Sequence, residues 1–150
     1  MLKLQKKACD QILACVKQSY PYECCGVLVG RINGEVKEAL GAYPIENLNK
    51  ERAADRYNMD PIGFMRVEKE IARQGLEMVG IYHSHPDHPA KPSQTDFQHA
   101  WPVYSYLIFA IAKGTDIEAK NWCLNEDGSA FIEEQFEISS ITKIKNQNAK

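Results

Sequence analysis

Three of the chain's four histidines fall between Gly80 and Asp96, in the stretch GIYHSHPDHPAKPSQTD, which also holds Asp87 and Asp96. His83 and His85 are two apart at the end of an apolar run that reads as a strand. Their imidazoles therefore point to one side while Ser84 faces away. Ser93 and Asp96 are three apart where a short helix is expected, so Asp96 can bring a carboxylate to the point where the imidazoles meet. Two imidazoles and one carboxylate are the kind of set that holds a catalytic zinc, with water in the fourth position. Zinc lowers the pKa of such a water to roughly 7. The Ser93 hydroxyl, one helical turn from Asp96, can hydrogen-bond the oxyanion of a tetrahedral intermediate. A general base is missing from this stretch and must come from elsewhere.

Each piece alone has a plainer reading. Ser-x-x-Asp is a common helix cap, and Ser93 can fill both roles. A His-x-His at a strand end is a weak zinc signal. His88 reads as an exposed loop residue. His99 reads as a surface or core-edge histidine, or as a hydrogen-bond partner behind a ligand.

The flanking sequence supplies the elements that would hold these residues. Leu4, Ala8, Ile12 and Val16 recur every four residues and predict a helix from about Leu4 to Tyr20, stopped by Pro21. CCGVLVGRI reads as a buried strand, Asn33-Gly34 as a two-residue hairpin turn, and EVKEALGAY as the returning strand. Residues 44–60 read as a loop. Asp60-Pro61 opens a second helix that runs to Gln74 and ends at Gly75. LEMVGIYHSH is the next strand, followed by a Pro-rich loop over 86–92 and a short helix capped by Ser93. VYSYLIFAIA, the most continuously apolar run, is expected at the sheet centre. IEAKNWCLN and AFIEEQFEI are expected to pair as a hairpin across Glu126-Asp127-Gly128. One mixed sheet with helices on its faces follows, over residues 1–138, with a polar tail over 139–150.

Composition sets bounds. A chain of 150 residues that is 44% hydrophobic and 25% charged suits one compact domain. A net charge of −2 offers no general attraction for nucleic acid or anionic membrane. No apolar run reaches the ~20 residues of a membrane span, and the N-terminal stretch lacks the apolar segment of a signal peptide. The chain reads as soluble and cytoplasmic. Its five cysteines, odd in number and without a C-x-x-C pair, argue against a disulfide framework and against a cysteine zinc knuckle. Each reads by default as a small buried residue, Cys25 packing behind the site. Trp101 and Trp122 read as core or rim.

HSHP, six residues, then SQTD resembles the signature of the JAMM (MPN+) zinc metallopeptidases. YPYECCGVLVG is similar to that family's Pro-x-Glu-x-Cys-Gly-hydrophobic pattern, and RYNMDP resembles its stretch before the second helix. The likeness extends from about residue 2 to 138. It implies an α/β fold, a three-layer α/β/α sandwich with a mixed sheet, similar to cytidine deaminases. It implies one zinc held by His83, His85 and Asp96, with water as the fourth ligand. Glu23 would then take the water's proton and pass it to the leaving amine, while Ser93 stabilises the oxyanion. Without the resemblance, Glu23 would read as a solvated residue at a helix–strand junction.

The resemblance further implies hydrolysis of a peptide or isopeptide bond after a ubiquitin-like tail. Few residues separate Asp96 from the following strand, so there is no room for an insertion gripping a second ubiquitin. This compact form is similar to the prokaryotic branch, which implies as partner a ubiquitin-like sulfur carrier protein ending in Gly-Gly. An extended tail can add as a strand to a sheet edge, and Gly-Gly passes a narrow channel without a Cβ clash. That edge is expected in residues 44–60 and along the loop 86–92. Three alternatives stand beside this reading. A non-catalytic module of the same fold would lack the Glu or the ligands. A deaminase would carry Pro-Cys-x-x-Cys, absent here, whereas a zinc hydrolase of another small amide stays open. A cysteine peptidase would need Cys24 or Cys25, in an apolar strand, as nucleophile. A homodimer is left open.

Overall fold

The structure is a computed structural model and describes residues 1–49 and 57–139. In chain order the elements are β1 (Leu2–Gln5), α1 (Lys6–Ser19), β2 (Cys25–Asn33), β3 (Val36–Ile45), α2 (Pro61–Arg73), β4 (Glu77–Pro86), α3 (Gln94–Gln98), β5 (Ser105–Ala112), β6 (Asp116–Leu124), β7 (Phe131–Glu133) and β8 (Phe136–Ser139). The strands form one mixed sheet in the order β7-β6-β5-β4-β2-β3-β1-β8.

Side-chain alternation along β2 assigns one helix to each face. Leu28 packs in a cluster with Ala8, Ile12 and Val16 of α1. Its neighbours Val27 and Val29 join Ile71, Phe64 and Val67 of α2. A strand sends successive side chains to opposite faces, so one apolar run feeds both clusters. Helix, sheet and helix make the three layers expected from the family resemblance. α2 starts as its sequence predicts, with the Asp60 carboxylate accepting the Ile62 N–H at 3.1 Å and Pro61 at the first position. It ends at Arg73, with Gly75 at φ 70°.

The structure corrects several sequence expectations. The first helix begins at Lys6, because Leu2 and Leu4 are fully buried in β1, which pairs in parallel with both β3 and β8. Leu4 continues the period-four stripe of α1 by coincidence of spacing. The hairpin turn sits one residue later than expected, since Asn33 pairs with Val36 and Gly34 takes φ 62°. The central strands are β4 and β2, and the more apolar β5 lies beside them. AFIEEQFEI does not form a single strand. It splits into β7 and β8, which lie at opposite ends of the sheet. Parts of the expected 44–60 loop and of the polar tail, residues 50–56 and 140–150, lie outside the described residues.

Two residues, Glu134 and Gln135, join those opposite ends. So short a link spans at most about 11 Å, so the sheet must curl until its edges approach. Glu134 sits in the closure. Its Oε1 accepts from Ser105 Oγ at 2.6 Å and from Asn121 Nδ2 at 2.8 Å, and its Oε2 lies 3.2 Å from Lys37 Nζ. Lys37 is on β3, Ser105 on β5 and Asn121 on β6. Burial alone would raise the Glu134 carboxyl, but the Ser105 hydroxyl and the Lys37 charge hold it below its ordinary 4.5. A depressed carboxyl stabilises the fold above its unfolded-state value and loses that contribution as pH falls through the folded value. Glu134→Ala is therefore expected to cost about 3 kcal/mol near neutral pH, because it strands a nearly buried Lys37. Urea denaturation should show that difference shrinking as pH falls below the ordinary carboxylate range.

Candidate metal centre

β2 and β4 run antiparallel with Cys25 opposite His83 and Gly26 opposite Tyr82. The backbone just before β2 is held to the same strand. Cys24 N–H donates to Ser84 Oγ at 2.9 Å, and Ser84 N–H donates to the Cys24 carbonyl at 3.1 Å. This register brings Glu23 beside the histidine end of β4. Ligand atoms of Glu23, His83 and His85 all lie within 4.8 Å of one another. Glu23, His83 and His85 are 4%, 1% and 3% exposed, so the helix–strand junction hides Glu23 rather than solvating it.

The two imidazoles converge as the strand period predicts, with Nε2 atoms 3.0 Å apart. His85 Nδ1 lies 2.7 Å from the Pro89 carbonyl, an acceptor only, so this nitrogen carries the ring proton and Nε2 carries the lone pair. Burial, reinforced by the His83 charge, pushes the His85 ring down to about 4. His83 Nδ1 is buried without a hydrogen-bond partner. Asp96 Oδ2 approaches His83 Nε2 at 3.5 Å. Burial would raise the Asp96 carboxyl, but the His83 hydrogen bond and charge and the Ser93 N–H hold it at about 2. A buried lone pair facing a second imidazole and an ionised carboxylate is a donor set that fits a cation. A backbone carbonyl behind a ligating imidazole is the usual way to fix its tautomer.

α3 is only one turn long, and its start builds the rest of the site. Ser93 Oγ accepts the Asp96 N–H at 3.1 Å, while Asp96 Oδ2 accepts the Ser93 N–H at 2.7 Å, a reciprocal capping box. Ser93, Asp96 and Glu23 line one cleft of about 560 Å³. The structure thus brings together all five residues singled out in the sequence: Glu23, His83 and His85 in the tightest group, Asp96 at its edge and Ser93 beside it. Cys25 is fully buried, with its Sγ 3.4 Å from the Ile45 carbonyl, and burial pushes its thiol up to about 12. A thiol so placed is a poor nucleophile.

Sequence reasoning missed the residues that brace this group. The Tyr57 ring lies 4.6 Å from that of His83, and the His88 ring stacks on His85 at 4.1 Å, so His88 is half-buried rather than the exposed loop residue expected. Asp87 takes φ 58° and ties the turn after β4 to two other elements. The Tyr20 hydroxyl donates to it at 2.6 Å and the Lys113 N–H at 2.8 Å. Trp122 Nε1 donates to the Ala90 carbonyl at 3.0 Å and holds the same loop, whereas Trp101 is exposed. His99 is exposed on the cleft lining. Asn47 supports the opposite wall. Its Nδ2 donates to the Glu23 carbonyl at 3.1 Å, and its Oδ1 accepts the Asn49 and Asn58 N–H groups at 3.0 and 2.8 Å. RYNMDP carried the only sequence hint of Tyr57. The Asn47–Glu23 and Asp87–Tyr20 contacts are long-range and left no local pattern.

Residues 5–124 match the family of prokaryotic homologs of the JAB domain. The chain is 37% identical over 113 residues to a desampylase of Haloferax volcanii, covering 71% of this chain and 78% of that protein. It is 36% identical over 97 residues to a probable TtuB-protein conjugate cleaving protease of Thermus thermophilus, covering 64% of this chain and 58% of that protein. Among solved structures, protein DSY2949 of Desulfitobacterium hafniense superposes with a TM-score of 0.81 at 33% identity, over 93% of this chain and 94% of that one.

Asn47 offers a direct check on the wall behind Glu23. Asn47→Ala removes one donor and one doubly used acceptor, so an equilibrium unfolding series should show a loss of about 2 kcal/mol. A loss near zero would mean that these bonds do not hold the wall.

Proposed function

The chain belongs to the prokaryotic JAB-domain family, and from that premise we propose that it is a zinc-dependent metallopeptidase cutting after the C-terminal Gly-Gly of a ubiquitin-like sulfur carrier protein. It is a hydrolase of the JAMM type. The observation that carries the reading is the convergence of buried Glu23, His83 and His85 within 4.8 Å at the end of an open cleft. Two relatives whose names describe a desampylase and a conjugate-cleaving protease support a protein-conjugate substrate.

In this reading His83, His85 and Asp96 hold the zinc, and Glu23 acts as the base. Zinc in such a set supplies Lewis acidity that makes water a nucleophile near neutral pH. Glu23 takes the proton of the attacking water and returns it to the leaving amine, as general base and then general acid. Its burial keeps that proton from exchanging with bulk solvent. Ser93 Oγ already accepts from the Asp96 N–H, which leaves its own O–H to donate to the oxyanion. Pro89 and Ser93 each fix one ligand through a backbone bond, so His85 and Asp96 need no reordering when substrate arrives. The tail of the carrier is taken to lie between residues 46–49 and 57–60 on one side and the loop 86–92 on the other. Substitutions in both segments that left KM unchanged would sink that placement.

Zinc-loaded protein should cut a peptide fused after the Gly-Gly of a ubiquitin-like carrier, and mass spectrometry should place the cut just after the second glycine. Glu23→Gln should lower the rate by roughly 10²- to 10⁴-fold while zinc stays bound. His85→Ala should lose the zinc itself, as read by metal analysis of the dialysed protein. Intact substrate under these conditions, with zinc bound, would move the reading to a different amide.

A further inference from the structure

The three side chains assigned to the zinc are held to the protein in different ways. His85 is fixed at its outer nitrogen, where Nδ1 donates to the Pro89 carbonyl at 2.7 Å. Asp96 is fixed by the Ser93 N–H, also at 2.7 Å. His83 has no bond of this kind. Its Nδ1 is buried without a hydrogen-bond partner among the described residues. Its Nε2 faces His85 Nε2 at 3.0 Å and Asp96 Oδ2 at 3.5 Å, on the side where the ligand atoms meet. A ligating imidazole almost always gives its other N–H to a carboxylate, a carbonyl or a water, and that bond sets the ring's orientation and tautomer. Without it, only packing stops the His83 ring from turning about Cβ–Cγ.

The group packed on that ring is Tyr57. The two ring centroids are 4.6 Å apart and the planes are inclined by 30°, an offset arrangement of the kind aromatic pairs favour. The His85 ring also lies against His83, at 4.8 Å and 56°, but it belongs to a fellow ligand. Tyr57 is half-buried and lines the cleft of the metal centre. A flat ring laid on the imidazole face blocks the rotation that would swing Nε2 away from the other ligands.

Tyr57 is itself held in place. The Asn58 N–H donates to Asn47 Oδ1 at 2.8 Å, and the Leu48 N–H donates to the Asn58 carbonyl at 2.7 Å. Met59 bridges Asn47, and the Asp60 N–H donates to the Glu46 carbonyl at 3.0 Å. All these bonds run to the stretch directly after β3. His85 and Asp96 therefore take their support from the loop after β4 and from the start of α3, while His83 takes its support from the opposite wall of the cleft.

We propose that Tyr57 is a positioning residue of the metal centre, its ring face setting the orientation of His83 as Pro89 and Ser93 set the other two ligands. The proposal rests on the reading of His83, His85 and Asp96 as zinc ligands and is independent of the carrier substrate. The contact is between rings, so the ring matters and the hydroxyl does not. Tyr57→Phe keeps the flat face. Tyr57→Leu keeps an apolar side chain in the wall but removes that face.

The test is a zinc titration of the metal-free protein in competition with a chromophoric chelator, for wild type and both variants. Tyr57→Leu should bind zinc roughly 10- to 100-fold more weakly, and Tyr57→Phe should stay within about threefold of wild type. NMR spectra of the histidine ring nitrogens in the metal-free proteins supply a second readout, which a general loosening of the wall would not reproduce. The His83 signals should shift or broaden in Tyr57→Leu, while those of His85, held by Pro89, stay in place. A zinc affinity in Tyr57→Leu within about threefold of wild type, or an equal loss in Tyr57→Phe, would overturn the proposal. So would His83 signals that do not move, or His85 signals that move as far. Wild-type protein that takes up no zinc would instead bring down the ligand reading, and this proposal with it. The wild-type titration thus separates the two failures. Should Tyr57→Leu fail to fold, Tyr57→Met carries the same decision.

Discussion

The antiparallel register of β2 on β4 is the constraint from which the site follows. With Cys25 opposite His83, the residue two before Cys25 must stand beside the end of β4, where His83 and His85 present their rings. A slip of one residue would turn Glu23 to the other face, away from the imidazoles. The register is fixed from both sides of the sheet. Val27 and Val29 must meet α2, Leu28 must meet α1, and each would lose its cluster on slipping. Two glycines make the close pairing feasible. A Cβ at Gly26 would lie 2.4 Å from the Tyr82 ring, and one at Gly80 would lie 3.1 Å from Leu28 Cδ1. The hydrophobic core and the chemistry are therefore specified by the same strand pairing.

Local periodicity decides what was legible in the sequence. His83 and His85 could be read as convergent because two residues of a strand share a face whatever the rest of the chain does. Ser93 and Asp96 could be read together because a capping box is complete within four residues. Glu23 carries no such signal. Its role depends on a pairing between strands about sixty positions apart, and only the family resemblance singled it out. Asp87, Asn47 and Tyr57 likewise act on residues distant along the chain. The same logic explains the errors in the fold. Leu4 fits the helical stripe in number but is consumed by β1, and the alternation of AFIEEQFEI gives no sign that its two halves belong to opposite edges.

The short link between those edges has a further effect on the site. A sheet curled so that its edges approach restrains the tilt of its strands, β4 and β5 included, and these carry the loops on both sides of α3. Glu134 makes that closure polar rather than apolar. It gathers a cation, a hydroxyl and an amide from three strands onto one carboxylate. Such a hub adds little net stability over an apolar plug, but it accepts only one arrangement of the strands around it.

The electrostatics of the cleft follow from what the fold excludes. Among the described residues, no lysine or arginine lines it, while two carboxyl groups and three histidines do. Burial keeps the His85 ring neutral, and the donors around Asp96 keep that group charged. The His85 ring cannot neutralise the carboxylate without taking a proton that its burial disfavours. Buried negative charge is costly unless it is paired or coordinates a metal. The Pro89 carbonyl accepts from the outer nitrogen of His85 and the Ser93 N–H donates to Asp96, while the inner Nε2 atoms of His83 and His85 face one another. A metal ion held at that meeting point would face these atoms, so binding it and stabilising this end of the sheet would be one event.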